Sequence, residues 1–352
     1  MKKKAIFGVF ETKNDNLRVF IINIKQLKGV INMNNLKKIG LSALAGSLVS
    51  FSAGAAEMSV SGGASISFDD TNRGKATRGN GFYMGDSLNF SASGETDNGI
   101  AITLKYEIDG GALDDYSVSM GGDWGTLIFD GHGASSAMGA VDDVTPNAYE
   151  EAWDIIDTDG TSTSGSPTVI GGGGGNNMFI YKSPNIGGAT FTMAYQNDGG
   201  AAAVEESFTD FAIALSPEMV EGLTLGYAAA DKQVAVSKNT DNSTMYVKYA
   251  VGAFTVGVQQ SEADHDTASN SQESTAFGIT YAVNDDMSIG YSHHELEFDS
   301  AANLTDQEST GISASYTMGG MTLAGAMNEV NSMDGTATND FEGYEFTLSF
   351  AF

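Results

Sequence analysis

The stretch MSVSGGASISF, residues 58–68, decides the fold. Met58, Val60, Ala64, Ile66 and Phe68 interleave with Ser59, Ser61, Gly63, Ser65 and Ser67. Successive side chains of a β-strand point to opposite faces, so this stretch presents one apolar face and one of small polar groups. The alternation recurs at Ile100, Ile102, Leu104, Tyr106 and Ile108, at Phe254, Val256 and Val258, and at Phe277, Ile279 and Tyr281. Their polar partners are mainly Ser, Thr, Gly, Asn and Lys, which could not fill a dry core. A closed antiparallel barrel with hydrocarbon outside and water inside satisfies both faces. The sequence holds no run of 18 apolar residues that would cross a bilayer as a helix.

Sixteen such segments can be counted, from 58–68 to 342–352, and an even number suits a closed barrel. The fourth is expected at 115–121, the tenth at 243–250, the eleventh at 253–260 and the twelfth at 274–282. Brief joins such as Thr96–Gly99, Val251-Gly252 and Gly319-Gly320 alternate with longer ones at 69–81, 131–176, 197–207, 231–242, 261–273, 299–307 and 331–341, with a shorter one at 109–114. This alternation places tight turns at one rim and long loops at the other.

The chain has 352 residues, no cysteine and a formal net charge of −28. A disulfide framework is excluded, and the scarcity of Lys and Arg argues against nucleic acid as a partner. The acidity is that of a solvated, cation-rich exterior, or serves solubility alone. Residues 33–56 carry Lys37 and Lys38, an apolar run from Ile39 to Phe51, and then Ala53, Gly54, Ala55 and Ala56. That order is a secretory signal with cleavage after Ala55 or Ala56. Residues 1–32 then read as a misassigned start, or as a genuine extra arm, and 57–352 as the barrel. Residues 57–352 hold 8 basic and 43 acidic groups, a net formal charge of about −35.

Tyr181, Tyr249, Tyr281 and Tyr316 stand on the apolar stripe shortly before short turns, as an aromatic girdle at one membrane interface would. The final segment, YEFTLSFAF, puts Tyr344, Phe346, Leu348, Phe350 and Phe352 on one face. Its terminal aromatic resembles the assembly signal of outer-membrane barrels. GETDNG (94–99) and YKSPNIGGATFTMAYQND (181–198) are similar to two periplasmic turns of general Gram-negative porins, in particular their alphaproteobacterial branch. The resemblance implies an all-β, sixteen-stranded transmembrane antiparallel barrel, a homotrimer in the outer membrane of a Gram-negative bacterium. It also implies a long third loop folded into the lumen, contact with outer-membrane lipid and the barrel assembly machinery, and passage of small hydrophilic solutes. Family members commonly have Arg where Ile180 stands, so an arginine ladder is not expected here. A solute-selective channel and a structural or adhesive barrel are the alternative functions.

The third loop, 131–176, spans about 46 residues by these boundaries, a length usually kept for function. It carries Asp142, Asp143, Glu150, Glu151, Asp154, Asp157 and Asp159, with Tyr149 and Trp153 as packing anchors. On residues alone it could equally lie on the outer surface with its acids solvated. Strand phase turns Lys105, Lys182 and Lys248 toward the lumen, either as an opposing basic wall or as scattered polar positions. Rings of acid favour cations. No cofactor is expected, with loop-bound Ca²⁺ left open. Of the four histidines, His132, His265, His293 and His294, none has a zinc or nucleophile spacing, so no enzyme is expected. His293 and His294 interrupt the phase between Tyr291 and Leu296, which suggests a bulge.

Overall fold

In the computed structural model, residues 57–71, 81–153, 177–197, 207–234, 238–266, 271–299 and 304–352 are described. The expected start, signal segment and acids Asp154, Asp157 and Asp159 lie outside them. The strands are β1 (Glu57–Thr71), β2 (Phe82–Glu95), β3 (Ala101–Asp109), β4 (Ala112–Gly122), β5 (Gly125–His132), β6 (Met178–Lys182), β7 (Ala189–Gln196) and β8 (Ser207–Leu215). They continue as β9 (Leu223–Val234), β10 (Lys238–Val251), β11 (Phe254–His265), β12 (Ser271–Asn284), β13 (Met287–Asp299), β14 (Gln307–Met318), β15 (Met321–Asn331) and β16 (Phe341–Ala351). Every strand pairs antiparallel with its neighbour in sequence, and β1 pairs with β16, closing the barrel.

Closure leaves no unpaired edge, which is what a sheet in hydrocarbon requires. At the seam Gly62 N–H donates to Phe352 O at 2.8 Å, and Phe352 N–H returns to Gly62 O at 3.0 Å. The outward faces carry the expected apolar stripes. Val60, Ile66, Leu104, Val247, Phe254, Leu323 and Phe346 are all exposed there, as a lipid-facing surface demands.

Two differences from the sequence reading concern strand ends. The connection expected at 109–114 is only Gly110-Gly111, both at positive φ (55° and 79°), because β4 begins at Ala112. Two central residues in the left-handed region make a tight hairpin that glycine adopts without strain. The loops expected at 231–242 and 261–273 are largely strand, since β10 starts at Lys238 and β11 runs to His265. Beyond the apolar band the outward positions turn polar, as at Asp241, Glu262 and Asp264, so the side-chain alternation fades while backbone pairing continues.

A third difference is at His293 and His294. The ladders of β13 with β12 and β14 run unbroken through both residues, and the irregularity of the first pair lies at Ala282/Asn284 instead. Leu296 is therefore lumen-facing, and it is fully buried inside the barrel. The apparent break in phase reflects a change of surroundings and not a bulge.

Candidate functional site

Residues 133–153, the described part of the third loop, enter the barrel at the end of β5 and are fastened to its inner wall step by step. Asp130 Oδ2 accepts the Ala134 N–H at 3.0 Å. Asp210, lumen-facing on β8 and 0% exposed, accepts the N–H groups of Ala137 (3.2 Å) and Met138 (2.8 Å). Gln259 of β11 donates from Nε2 to the carbonyls of Val141 (2.9 Å) and Asp142 (2.8 Å), and its Oε1 accepts the Val144 N–H at 2.8 Å. Ser313 of β14 accepts the Ala148 N–H at 3.0 Å, and Asn328 of β15 donates to Glu151 O at 2.7 Å. Tyr149 donates to Glu345 Oε1 of β16 at 2.6 Å, and Trp153 packs on the buried His294 of β13 with ring centroids 4.7 Å apart. Buried backbone groups thus find partners on the wall, as they must away from water.

Two further features seat the loop. The first is apolar: Ala137 and Met138 are buried with Met178 and Ile180 of β6, Ala194 of β7, Phe208 and Ala212 of β8, Ala228 and Ala230 of β9, Ala263 of β11 and Leu296 of β13. Ile180, 3% exposed, faces inward as expected, but it lies in this dry cluster and not on an aqueous wall. The second is a run of glycines on β11 to β14. A Cβ at Gly257 would stand 2.5 Å from Pro146 Cδ, and at Gly278 it would collide with the Pro146 carbonyl. At Gly290 it would lie 2.8 Å from Ala148 N, and at Gly311 it would lie 3.0 Å from Ala152 Cα. Pro146, Ala148 and Ala152 of the loop, with Asn328 Oδ1 beside Gly311, occupy the room that side chains would fill.

The loop brings four of the expected acids inside the barrel. Asp142 and Asp143 share a hydrogen bond; partial burial first, and repulsion from Asp143 second, push the Asp142 carboxyl up to about 7. Glu150 and Glu151 lie between the Tyr149 and Trp153 anchors, partly buried. Burial, and then the bond to Glu345, raise the Tyr149 phenol above its ordinary value, so it stays protonated at any working pH.

Register places Lys105 opposite Ser91 and Ser117, Lys182 opposite Thr126 and Thr192, and Lys248 opposite Thr224 and Gly257, all on the lumen face. The barrel does not gather them. In the ring of sixteen strands β3 lies across from β11, so Lys105 faces the arc where Gln259 holds Asp142. Lys248 of β10 stands on the same arc as that loop segment, and Lys182 lies between the two arcs. Among the described residues none of the three makes an ion pair. Tyr181, Tyr249, Tyr281 and Tyr316 are partly or well exposed on the outward face, and Tyr181 donates to Trp124 O at 2.6 Å beside a short turn.

Sequence reasoning did not single out Asp210, Gln259, Ser313, Asn328 and Glu345. They are lone polar residues on strands whose alternation is ordinary. Only the large Gln and Glu among small lumen residues hinted that something filled the interior there.

A closed sixteen-stranded antiparallel barrel, apolar outside and holding an inward loop, is a transmembrane pore. The sequence pattern of the Gram-negative porin family matches residues 40–352, and the chain belongs to that family. It therefore resides in the outer membrane as a porin channel. Among solved structures it resembles the anion-selective porin from Comamonas acidovorans, at a TM-score of 0.62 and 15% identity over 84% of this chain and 100% of that one. It also resembles OmpT, an outer membrane protein of Vibrio cholerae, at 0.60 and 10% over 87% and 100%. A variant of Rh. blastica porin matches at 0.59 and 15% over 84% and 100%. At such identities the likeness shows the fold alone. Comparison with curated proteins returned no match.

Proposed function

We propose that the chain forms a homotrimeric pore for passive diffusion of small hydrophilic solutes and ions, with a preference for cations. The observation that carries this reading is the placement of Asp142, Asp143, Glu150 and Glu151 on a loop fastened to the inner wall from β8 to β16. Against them the described lumen wall sets the dispersed Lys105, Lys182 and Lys248, and Lys232 of β9 opposite Phe208. Carboxylates lining a narrow passage attract cations at short range. Salt does not abolish this, because the Debye length of about 8 Å at physiological ionic strength is comparable to a constriction's width. Phe352, at the seam, is proposed as the feature that the barrel assembly machinery reads, and Tyr181, Tyr249, Tyr281 and Tyr316 as the interfacial girdle. The test is the reversal potential across a KCl gradient in planar bilayers. A cation-selective potential is expected, diminished when Asp142, Asp143, Glu150 and Glu151 are neutralised together. Anion selectivity of the wild type overturns the reading.

A further inference from the structure

Asp114, Asp115 and His132 converge at the long-loop rim, where β4 begins and β5 ends. Alternation along a regular strand would send consecutive residues 114 and 115 to opposite faces. Here β4 is irregular on both sides: its ladder slips against β3 between Tyr106 and Ile108, and against β5 between Tyr116 and Ser117. Such slips re-aim side chains. Both carboxylates end up beside one imidazole, with His132 Nδ1 3.6 Å from Asp115 Oδ1 and 4.0 Å from Asp114 Oδ1. One ligand atom from each residue lies within 4.8 Å of the other two.

These separations are too long for hydrogen bonds. They suit donors arranged round one divalent ion, where bonds of about 2.1 Å set ligands roughly 3 to 4 Å apart. Charge points the same way. Glu107, on β3 where its ladder with β4 slips, acts electrostatically on Asp115, and among the described residues no lysine or arginine pairs with these three acids. The imidazole separates the cluster from a diffuse acidic surface, because nitrogen donors favour zinc, nickel, copper and iron over magnesium and calcium.

Position gives the cluster a consequence. His132 is the last residue of β5 and Gly133 the first of the inward loop. Gly133 adopts φ +94°, and a Cβ there would collide with the Asp115 carboxylate. The root of the loop is thus held directly against β4. We propose that Asp114, Asp115 and His132 bind a divalent first-row transition metal ion of the zinc class, with water completing its shell. The bound ion staples the loop's root to β4. This site is independent of the pore's ion preference.

Calorimetric titration of the detergent-solubilised protein with ZnCl₂, and in parallel with CaCl₂ and MgCl₂, tests it. One Zn²⁺ per chain is expected, bound more tightly than Ca²⁺ or Mg²⁺. His132→Ala, and separately the double substitution Asp114→Asn/Asp115→Asn, weaken Zn²⁺ binding by at least about tenfold. Micromolar Zn²⁺ raises the melting temperature of the wild type and leaves that of the variants unmoved. Heat-modifiable migration on gels establishes that each variant is folded. Zn²⁺ affinity unaltered in His132→Ala, or Ca²⁺ bound as tightly as Zn²⁺ and equally indifferent to that substitution, overturns the proposal.

Discussion

Replacing Asp210 by alanine removes the deepest fastening of the inward loop. The carboxylate is 0% exposed and accepts the N–H groups of Ala137 and Met138 within an apolar cluster, so no water replaces it. Each buried N–H left without a partner costs about 1–3 kcal/mol. Two of them weaken the seated loop by about 2–6 kcal/mol, a drop of roughly 30-fold to 10⁴-fold in the ratio of seated to released loop. The barrel's ladders do not depend on this group, so it should still close and insert. Asp210→Asn keeps one acceptor and should fall between. Single-channel recording should show added current noise and conductance substates, and Glu-C protease should cut at Glu150 or Glu151 faster than in wild type. Normal noise together with unchanged protease resistance in a folded Asp210→Ala barrel would refute the anchoring role.

Three other outcomes follow from the same geometry. A side chain at Gly278 meets the Pro146 carbonyl, so Gly278→Val should lift the loop into the lumen and lower conductance without preventing assembly; equal conductance would show the loop is not seated there. Because Asp142 is held near 7, it is mostly neutral below that pH and ionised above it, so the cation-to-anion permeability ratio should rise between pH 6 and pH 8, and Asp142→Asn should flatten that rise. Deleting Phe352 removes both seam hydrogen bonds to Gly62, and should lower the yield of assembled oligomer while the conductance of what does assemble is preserved.

The sequence made the outer surface legible because the bilayer imposes one rule on every lipid-facing position. Val60, Leu104, Phe254 and Tyr281 obey it, and hence strand number, phase and closure could be read. The interior was harder. Polar lumen residues are expected where water fills the pore, yet Met178, Ile180, Phe208 and Leu296 face inward and are dry because Ala137 and Met138 of the loop lie on them. Nothing local to Leu296 reveals a cover supplied by residues far away in sequence, and its phase consequently read as a bulge at His293 and His294. The loop's acids were visible as composition, but their seat depends on single residues such as Gln259 and on glycines spaced across four strands. The His132 cluster was invisible for a similar reason, since backbone slips at Tyr106 and Tyr116 create it.

The seam sets a condition on how the molecule comes to exist. Ser67 and Thr347, hydrogen-bonded across β1 and β16 at 2.7 Å, are 280 residues apart in the chain. Bringing ends that far apart together costs on the order of 5 kcal/mol in chain entropy. Every other pairing joins strands adjacent in sequence, through tight turns at one rim and loops far shorter than that separation at the other, and costs less. Assembly therefore divides into a fast, zipper-like growth of hairpins and one slow, non-local ring closure. Until that closure the growing sheet has two bare edges, each a template for a stray strand, so the hazard of misassembly is concentrated in the last step.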